Sequence, residues 1–270
     1  MPDILANGIR IHYEERGAGP AMVWAHGLGQ TWHGWDGVMT FFQDHYRVIA
    51  YDARGHGQSE KPDRPEAYSQ DIMVQDMRGV MDALGITQAI VGGHSMGANV
   101  ALNFAFQYPE RCLGLIPVGI GSGSSDAQWW QEYFGKLADV AEQQGTAAYL
   151  EESRKVPAWE SAFNHPQIGK QIIQTELDNS PKAIAYVIRG IQRKRPGIFQ
   201  LEPKLEKLPV KTLVVASELD TPVIECSRFI VQHIPQATLE IIPAKSHWTH
   251  MEEPEKFWRV VDRFVARLKL

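Results

Sequence analysis

Apolar positions along the chain change period several times, and each change marks a predicted element. Near the amino terminus, Ile4-Leu5 and Ile9-Arg10-Ile11-His12-Tyr13 flank Asn7-Gly8. That pair favours a type I′ turn, so residues 3–15 are predicted as a hairpin. Short apolar runs at 22–25, 48–51, 89–92, 113–118, 211–216 and 237–242 read as strands. Between them, residues 71–84 place Ile72, Met73, Met77, Val80, Met81 and Leu84 at helical spacing. Alternating strands and helices predict an α/β fold, a mainly parallel, doubly wound sheet with helices on both faces.

From about residue 121 to 209 the strand pattern stops. Predicted helices at 128–143, 145–154, 168–178 and 181–192 fill the gap, opening on Trp129, Trp130, Tyr133 and Phe134. The stretch is too long for a single crossover. It predicts an inserted all-helical cap over 122–208, with a core formed from 1–121 and 209–270.

The strand at 89–92 runs into Gly93-His94-Ser95-Met96-Gly97, a G-x-S-x-G sequence followed by small, helix-tolerant residues. A glycine-rich turn with an incidental serine would satisfy the same spacing. A strand before and a helix after instead predict a nucleophile elbow that exposes the Ser95 hydroxyl at a helix amino terminus. A nucleophilic serine needs a base, an orienting acid and an oxyanion site. His247 follows the strand at 237–242 and is the expected base. Asp220 follows the strand at 211–216 and is the expected acid, with Glu218 its nearest rival. His26-Gly27-Leu28-Gly29, after the strand at 22–25, is a tight small-residue turn. The main-chain N–H groups of Leu28 and Met96 are the expected oxyanion donors.

With these pieces in order, the chain resembles the α/β-hydrolase superfamily over nearly its whole length. The order Ser95, Asp220, His247 is the triad order of that superfamily. Residues Tyr51-Asp52-Ala53-Arg54-Gly55-His56-Gly57-Gln58-Ser59 match its D-x-R-G-x-G-x-S turn, and 247–254 match its H-x-x-x-x-E-x-P ending. The resemblance implies a serine hydrolase of the carboxylesterase type, acting on small-molecule esters or lactones through an acyl-enzyme. It leaves open C–C bond or amide hydrolysis, cofactor-free perhydrolysis, and a small-ligand receptor on the same fold. Serine at the elbow sets the chain apart from the dehalogenases and epoxide hydrolases of this fold, which carry aspartate there. His26, His94, Arg54 and Asp52 are expected to be structural.

Composition narrows the partners. A net charge of -5 over 270 residues with no basic tract argues against nucleic acid. No apolar run approaches a membrane span and residues 1–3 do not begin a signal peptide, which makes the cytoplasm the expected compartment. Cys112 and Cys226 are expected as buried thiols. His247 and His250 lack H-E-x-x-H spacing, and no glycine-rich nucleotide motif follows a strand, so neither metal nor cofactor is expected. Trp32, Trp129, Trp130 and Trp248 are the expected substrate contacts, although such aromatics also serve to pack a cap onto a sheet.

Overall fold

The computed structural model describes residues 2–121 and 124–268. Strands β1 (Asp3–Ala6) and β2 (Ile9–Arg16) form the predicted hairpin, with Asn7 and Gly8 at φ 47° and 76°. Then follow β3 (Ala21–Ala25), α1 (Asp36–Phe42), β4 (Arg47–Tyr51), α2 (Gln70–Ala83), β5 (Ala89–His94), α3 (Met96–Gln107) and β6 (Cys112–Val118). Helices α4 (Ala127–Gln144), α5 (Thr146–Ser153), α6 (Pro157–Phe163), α7 (Gly169–Leu177), α8 (Pro181–Val187) and α9 (Glu202–Leu205) lead to β7 (Thr212–Ser217). The chain ends with α10 (Thr221–His233), β8 (Ala237–Ile242), α11 (Thr249–Glu252) and α12 (Pro254–Val265).

The strands make one sheet in the order β1-β2-β4-β3-β5-β6-β7-β8. The first two pairings, β1 with β2 and β2 with β4, are antiparallel and the rest parallel. β3, β5 and β7 are buried along their full length, as expected of parallel strands covered on both faces. The two-residue period of a strand divides their side chains between two cores. Val23, Ala89 and Val91 point into one core with Met77 and Val80 of α2 and Leu102 of α3. Met22, Trp24 and Ile90 point into the other with Met39 and Phe42 of α1 and Phe257 and Val261 of α12. Trp35, next to the oxyanion turn in sequence, belongs to this second core, its ring 4.5 Å from that of Trp24.

A third core lies within the helices between β6 and β7, built from Trp130, Phe134, Leu137, Tyr149, Phe163, Ile172 and Ile184. These helices form the cap. Its expected first residue, 122, lies outside the described residues. Helix α6 is absent from the sequence-based expectation because seven residues opening on Pro157 are too short to show a helical period. The expected helix at 181–192 ends as an α-helix at Val187 and continues as a π-helical turn over Ile188–Gln192. Cys226 is buried and Cys112 half-buried, both as free thiols. Among the described residues no helix is long and apolar enough to cross a membrane.

Candidate active site

Ser95 sits between β5 and α3 at φ 52° and ψ −107°, a strained conformation for a residue with a side chain. The glycine spacing makes this turn possible. A Cβ on Gly97 would lie 2.2 Å from the Ala25 carbonyl oxygen, and one on Gly93 would lie 2.4 Å from the Gly97 backbone. The elbow can therefore press against β3 only with glycine at both positions. The Ser95 amide donates to the Val118 carbonyl (2.9 Å), pinning the elbow to β6. Met96 opens α3, so its N–H has no acceptor within the helix.

Asp220 and His247 come from the carboxyl ends of β7 and β8, and the fold brings them together. His247 Nδ1 is hydrogen-bonded to Asp220 Oδ2, with both side chains buried. Asp220 is 5% exposed, whereas Glu218 is on the surface, and of the two only Asp220 bonds His247. The Ser217 hydroxyl donates to the Ala244 carbonyl (2.7 Å), and Glu252 accepts the amides of Lys245 (2.9 Å) and Ser246 (2.7 Å). That last pair of bonds is what the glutamate of H-x-x-x-x-E-x-P does here: it shapes the His247 loop. His247 Nε2 is buried without a hydrogen-bond partner among the described residues, and it borders the same cavity as Ser95.

Three neighbouring imidazoles have different partners. His94 donates from Nε2 to the His247 carbonyl (3.0 Å), and burial holds its pKa well below the usual value. His250 stacks on Trp35, and burial, followed by the nearby His247, pushes its pKa down to about 3. Of the three, His247 alone bonds a carboxylate, that of Asp220. His26 is also structural: its Nδ1–H reaches the Gly27 carbonyl (2.7 Å) and its Nε2 accepts the Ala53 amide (2.9 Å). Asp52 accepts the amides of Trp32 (2.9 Å) and Gln58 (2.8 Å), and Arg54 is paired with Asp76 (2.5 Å). The D-x-R-G-x-G-x-S turn is thus a brace behind the oxyanion turn.

A small cavity lies over Ser95, lined by Gly27, Leu28, Tyr149, Ser153, Trp159, Phe163, Glu176, His247 and Trp248, with Ser95 and His94 at its floor. Trp248 is the one expected tryptophan that borders it. Trp32 is buried and stacks on His33 at 3.9 Å. Trp129 is 44% exposed and lies on the Tyr133 ring. Trp130 packs in the cap core behind Trp159, ring centroids 6.1 Å apart. None of these three borders the cavity. Trp159 and Phe163 of α6, the short helix whose periodicity was too brief to read, do border it.

The cap also touches the machinery directly. The His247 amide donates to the Ala158 carbonyl (3.0 Å). From α7, Glu176 Oε1 accepts from Gln30 Nε2 (2.9 Å), and Asn179 at its end donates to the Gly29 carbonyl (2.6 Å). The cap therefore holds the His247 loop and the turn at Gly29 and Gln30 as well as lining the cavity. No sequence signal marked Glu176, a lone glutamate on an amphipathic helix. Among the described residues, no cluster of three or more His, Cys, Asp or Glu could hold a metal ion.

Comparison with known proteins agrees with the geometry. Residues 20–254 match the family described as alpha/beta hydrolase fold. A 2-hydroxymuconate semialdehyde hydrolase from a Pseudomonas species is 31% identical, over 98% of this chain and 93% of that protein. The 3-oxoadipate enol-lactonase 2 of Acinetobacter baylyi is 27% identical, over 98% of this chain and 96% of that one. Among solved structures, a thermophilic esterase from Thermogutta terrifontis superposes with a TM-score of 0.88 at 27% identity, covering 100% of this chain and 99% of that chain. The chain belongs to the α/β-hydrolase fold family, and it is a hydrolase.

Proposed function

We propose that the chain hydrolyses small carboxylic esters or lactones through an acyl-enzyme on Ser95. The observation that carries this reading is Ser95 on a strained elbow, sharing one cavity with a histidine whose far nitrogen is bonded to a buried aspartate. His247 Nε2 takes the Ser95 proton as Oγ attacks the acyl carbon. The carbonyl π-electrons move to oxygen, and the N–H groups of Leu28 and Met96 receive that oxyanion. Collapse expels the alkoxide, which leaves as the alcohol with the proton from His247. Water then gives a proton to His247, attacks the acyl carbon and releases the acid, regenerating Ser95.

The likeness to an esterase and to an enol-lactonase supports esters and lactones as substrates. The 2-hydroxymuconate semialdehyde hydrolase keeps a second reading in play, hydrolysis of a C–C bond beside a carbonyl, which the same nucleophile and oxyanion site could serve. An epoxide hydrolase from Caenorhabditis elegans is also 29% identical over 96% of this chain and 68% of that protein. Chemistry argues against carrying that activity over. A serine that opened an epoxide would form an ether, which no later attack at a carbonyl could cleave.

The test is turnover of p-nitrophenyl acetate and butyrate, with labelling by a fluorophosphonate probe. The wild type is expected to do both. Ser95→Ala should remain folded, lose labelling, and lose at least about three orders of magnitude in kcat. Retention of a tenth of wild-type turnover in Ser95→Ala would overturn the serine mechanism.

A further inference from the structure

Glu176 is the one acid among the described residues that line the cavity, and nothing in ester cleavage requires it. Its side chain is 3% exposed. Oε1 is taken by Gln30, but Oε2 is buried with no hydrogen-bond partner among the described residues. The carboxyl packs on the bare Cα of Gly29: a Cβ there would lie 1.9 Å from Oε2, and Gly29 already has φ 74°. Glycine at 29 thus makes room for this carboxyl beside the oxyanion turn. Tyr149 and Ser153 share the cavity wall with it, and among the described lining residues there is no lysine or arginine.

An orphaned buried carboxyl oxygen costs stability unless a water, an ion or a ligand group completes it. We propose that Glu176 is a specificity-determining residue whose free oxygen pairs with a hydroxyl group on the acyl or lactone part of the substrate. A hydroxyl is the matching group because it can donate to a carboxylate and accept from a carboxylic acid. An alkyl group leaves Oε2 orphaned, and a substrate carboxylate meets no cation in the wall. Burial pushes the Glu176 carboxyl up to about 8 against the opposing bond from Gln30, so it is largely the acid form at neutral pH. In that form it donates to the hydroxyl oxygen and adds no negative charge beside the oxyanion turn.

The inference rests on the ester and lactone reading, so the experiment has one arm with turnover and one without. The first compares kcat/KM for p-nitrophenyl 3-hydroxybutyrate and p-nitrophenyl butyrate. The second measures binding of 3-hydroxybutyramide, butyramide, 3-aminobutyramide and succinamate to Ser95→Ala by calorimetry. Both arms are expected to favour the hydroxylated compound by at least about tenfold, since a site built to bond a hydroxyl discriminates strongly against its absence. In Glu176→Leu that ratio should fall to about one, while Glu176→Gln, which keeps a donor and an acceptor in the same shape, should retain most of it. Thermal melting establishes that each variant is folded. Three results would overturn the proposal: no hydroxyl preference in the wild-type cavity, an unchanged ratio in Glu176→Leu, or tighter binding of the ammonium compound than of the hydroxyl. If no ester turns over but the binding preference holds and depends on Glu176, the ester reading fails and the recognition role stands.

Discussion

Single residues separate the machinery from its surroundings by burial and partner. Asp220 and Glu218 are two residues apart, yet one is buried against His247 and the other faces solvent. Asp220→Asn keeps the shape but removes the charge that stabilises the imidazolium. It should cost roughly 10⁴ in kcat, with Glu218→Gln close to wild type, as steady-state kinetics on the two variants will show. The reverse ranking would move the acid to Glu218. Glu176 makes a different prediction, about stability. Its folded pKa is raised from 4.5 to about 8 by burial. Below about pH 4.5 the group is protonated folded and unfolded, so it adds no pH dependence. Between about pH 4.5 and 8 the unfolded chain releases the proton while the native state keeps it, so stability falls as pH rises. Glu176→Gln should remove that slope, gaining over wild type by a few kcal/mol at about 1.4 kcal/mol per unit. Urea melts across this range will read the difference. Parallel curves for the two proteins would mean that the carboxyl is not perturbed.

At the scale of elements, α6 and α7 join the cap to the core by their backbones and polar side chains, and α6 also forms the roof over Ser95 through Trp159 and Phe163. Trp159→Ala should enlarge the cavity while leaving the Ala158 carbonyl in place for the His247 amide. The kcat/KM ratio of hexanoyl to acetyl ester should rise by about tenfold, the effect of roughly 1–3 kcal/mol in an apolar pocket. Trp129→Ala, on the outer surface, should leave the ratio within about twofold of wild type. A kinetic series from acetyl to hexanoyl esters checks both, and an equal collapse of kcat at every chain length in folded Trp159→Ala would show that α6 acts on the chemistry itself. These roles were hidden in the sequence for a physical reason. A seven-residue helix shows barely two turns, and an aromatic residue in it satisfies core and pocket patterns equally well.

Across the whole molecule, no set of side chains offers metal-binding geometry among the described residues, and the sequence lacks zinc spacing. Prolonged EDTA treatment should leave ester turnover unchanged. Activity lost to EDTA and restored by a divalent ion would contradict a serine-only mechanism. The sheet, the hairpin and the elbow were legible in the sequence because each depends on local rules. Period-two and apolar runs make strands, Asn7-Gly8 supplies two positive φ values, and Gly93 and Gly97 are required wherever an elbow meets a neighbouring strand. Ser95, Asp220 and His247 come together because parallel strands deliver their following loops to one edge. Which aromatic residues face the substrate could not be named, since Trp32, Trp130 and Trp159 are all buried side chains of one kind and differ only in what lies across from them. The same holds for Glu176: in sequence it is one acid on a helix, and only the docking of α7 over Gly29 buries its carboxyl beside the oxyanion turn. Local chemistry fixed the strands and the elbow, whereas the cavity wall was decided by long-range packing, where a residue's place depends on neighbours far away in the chain.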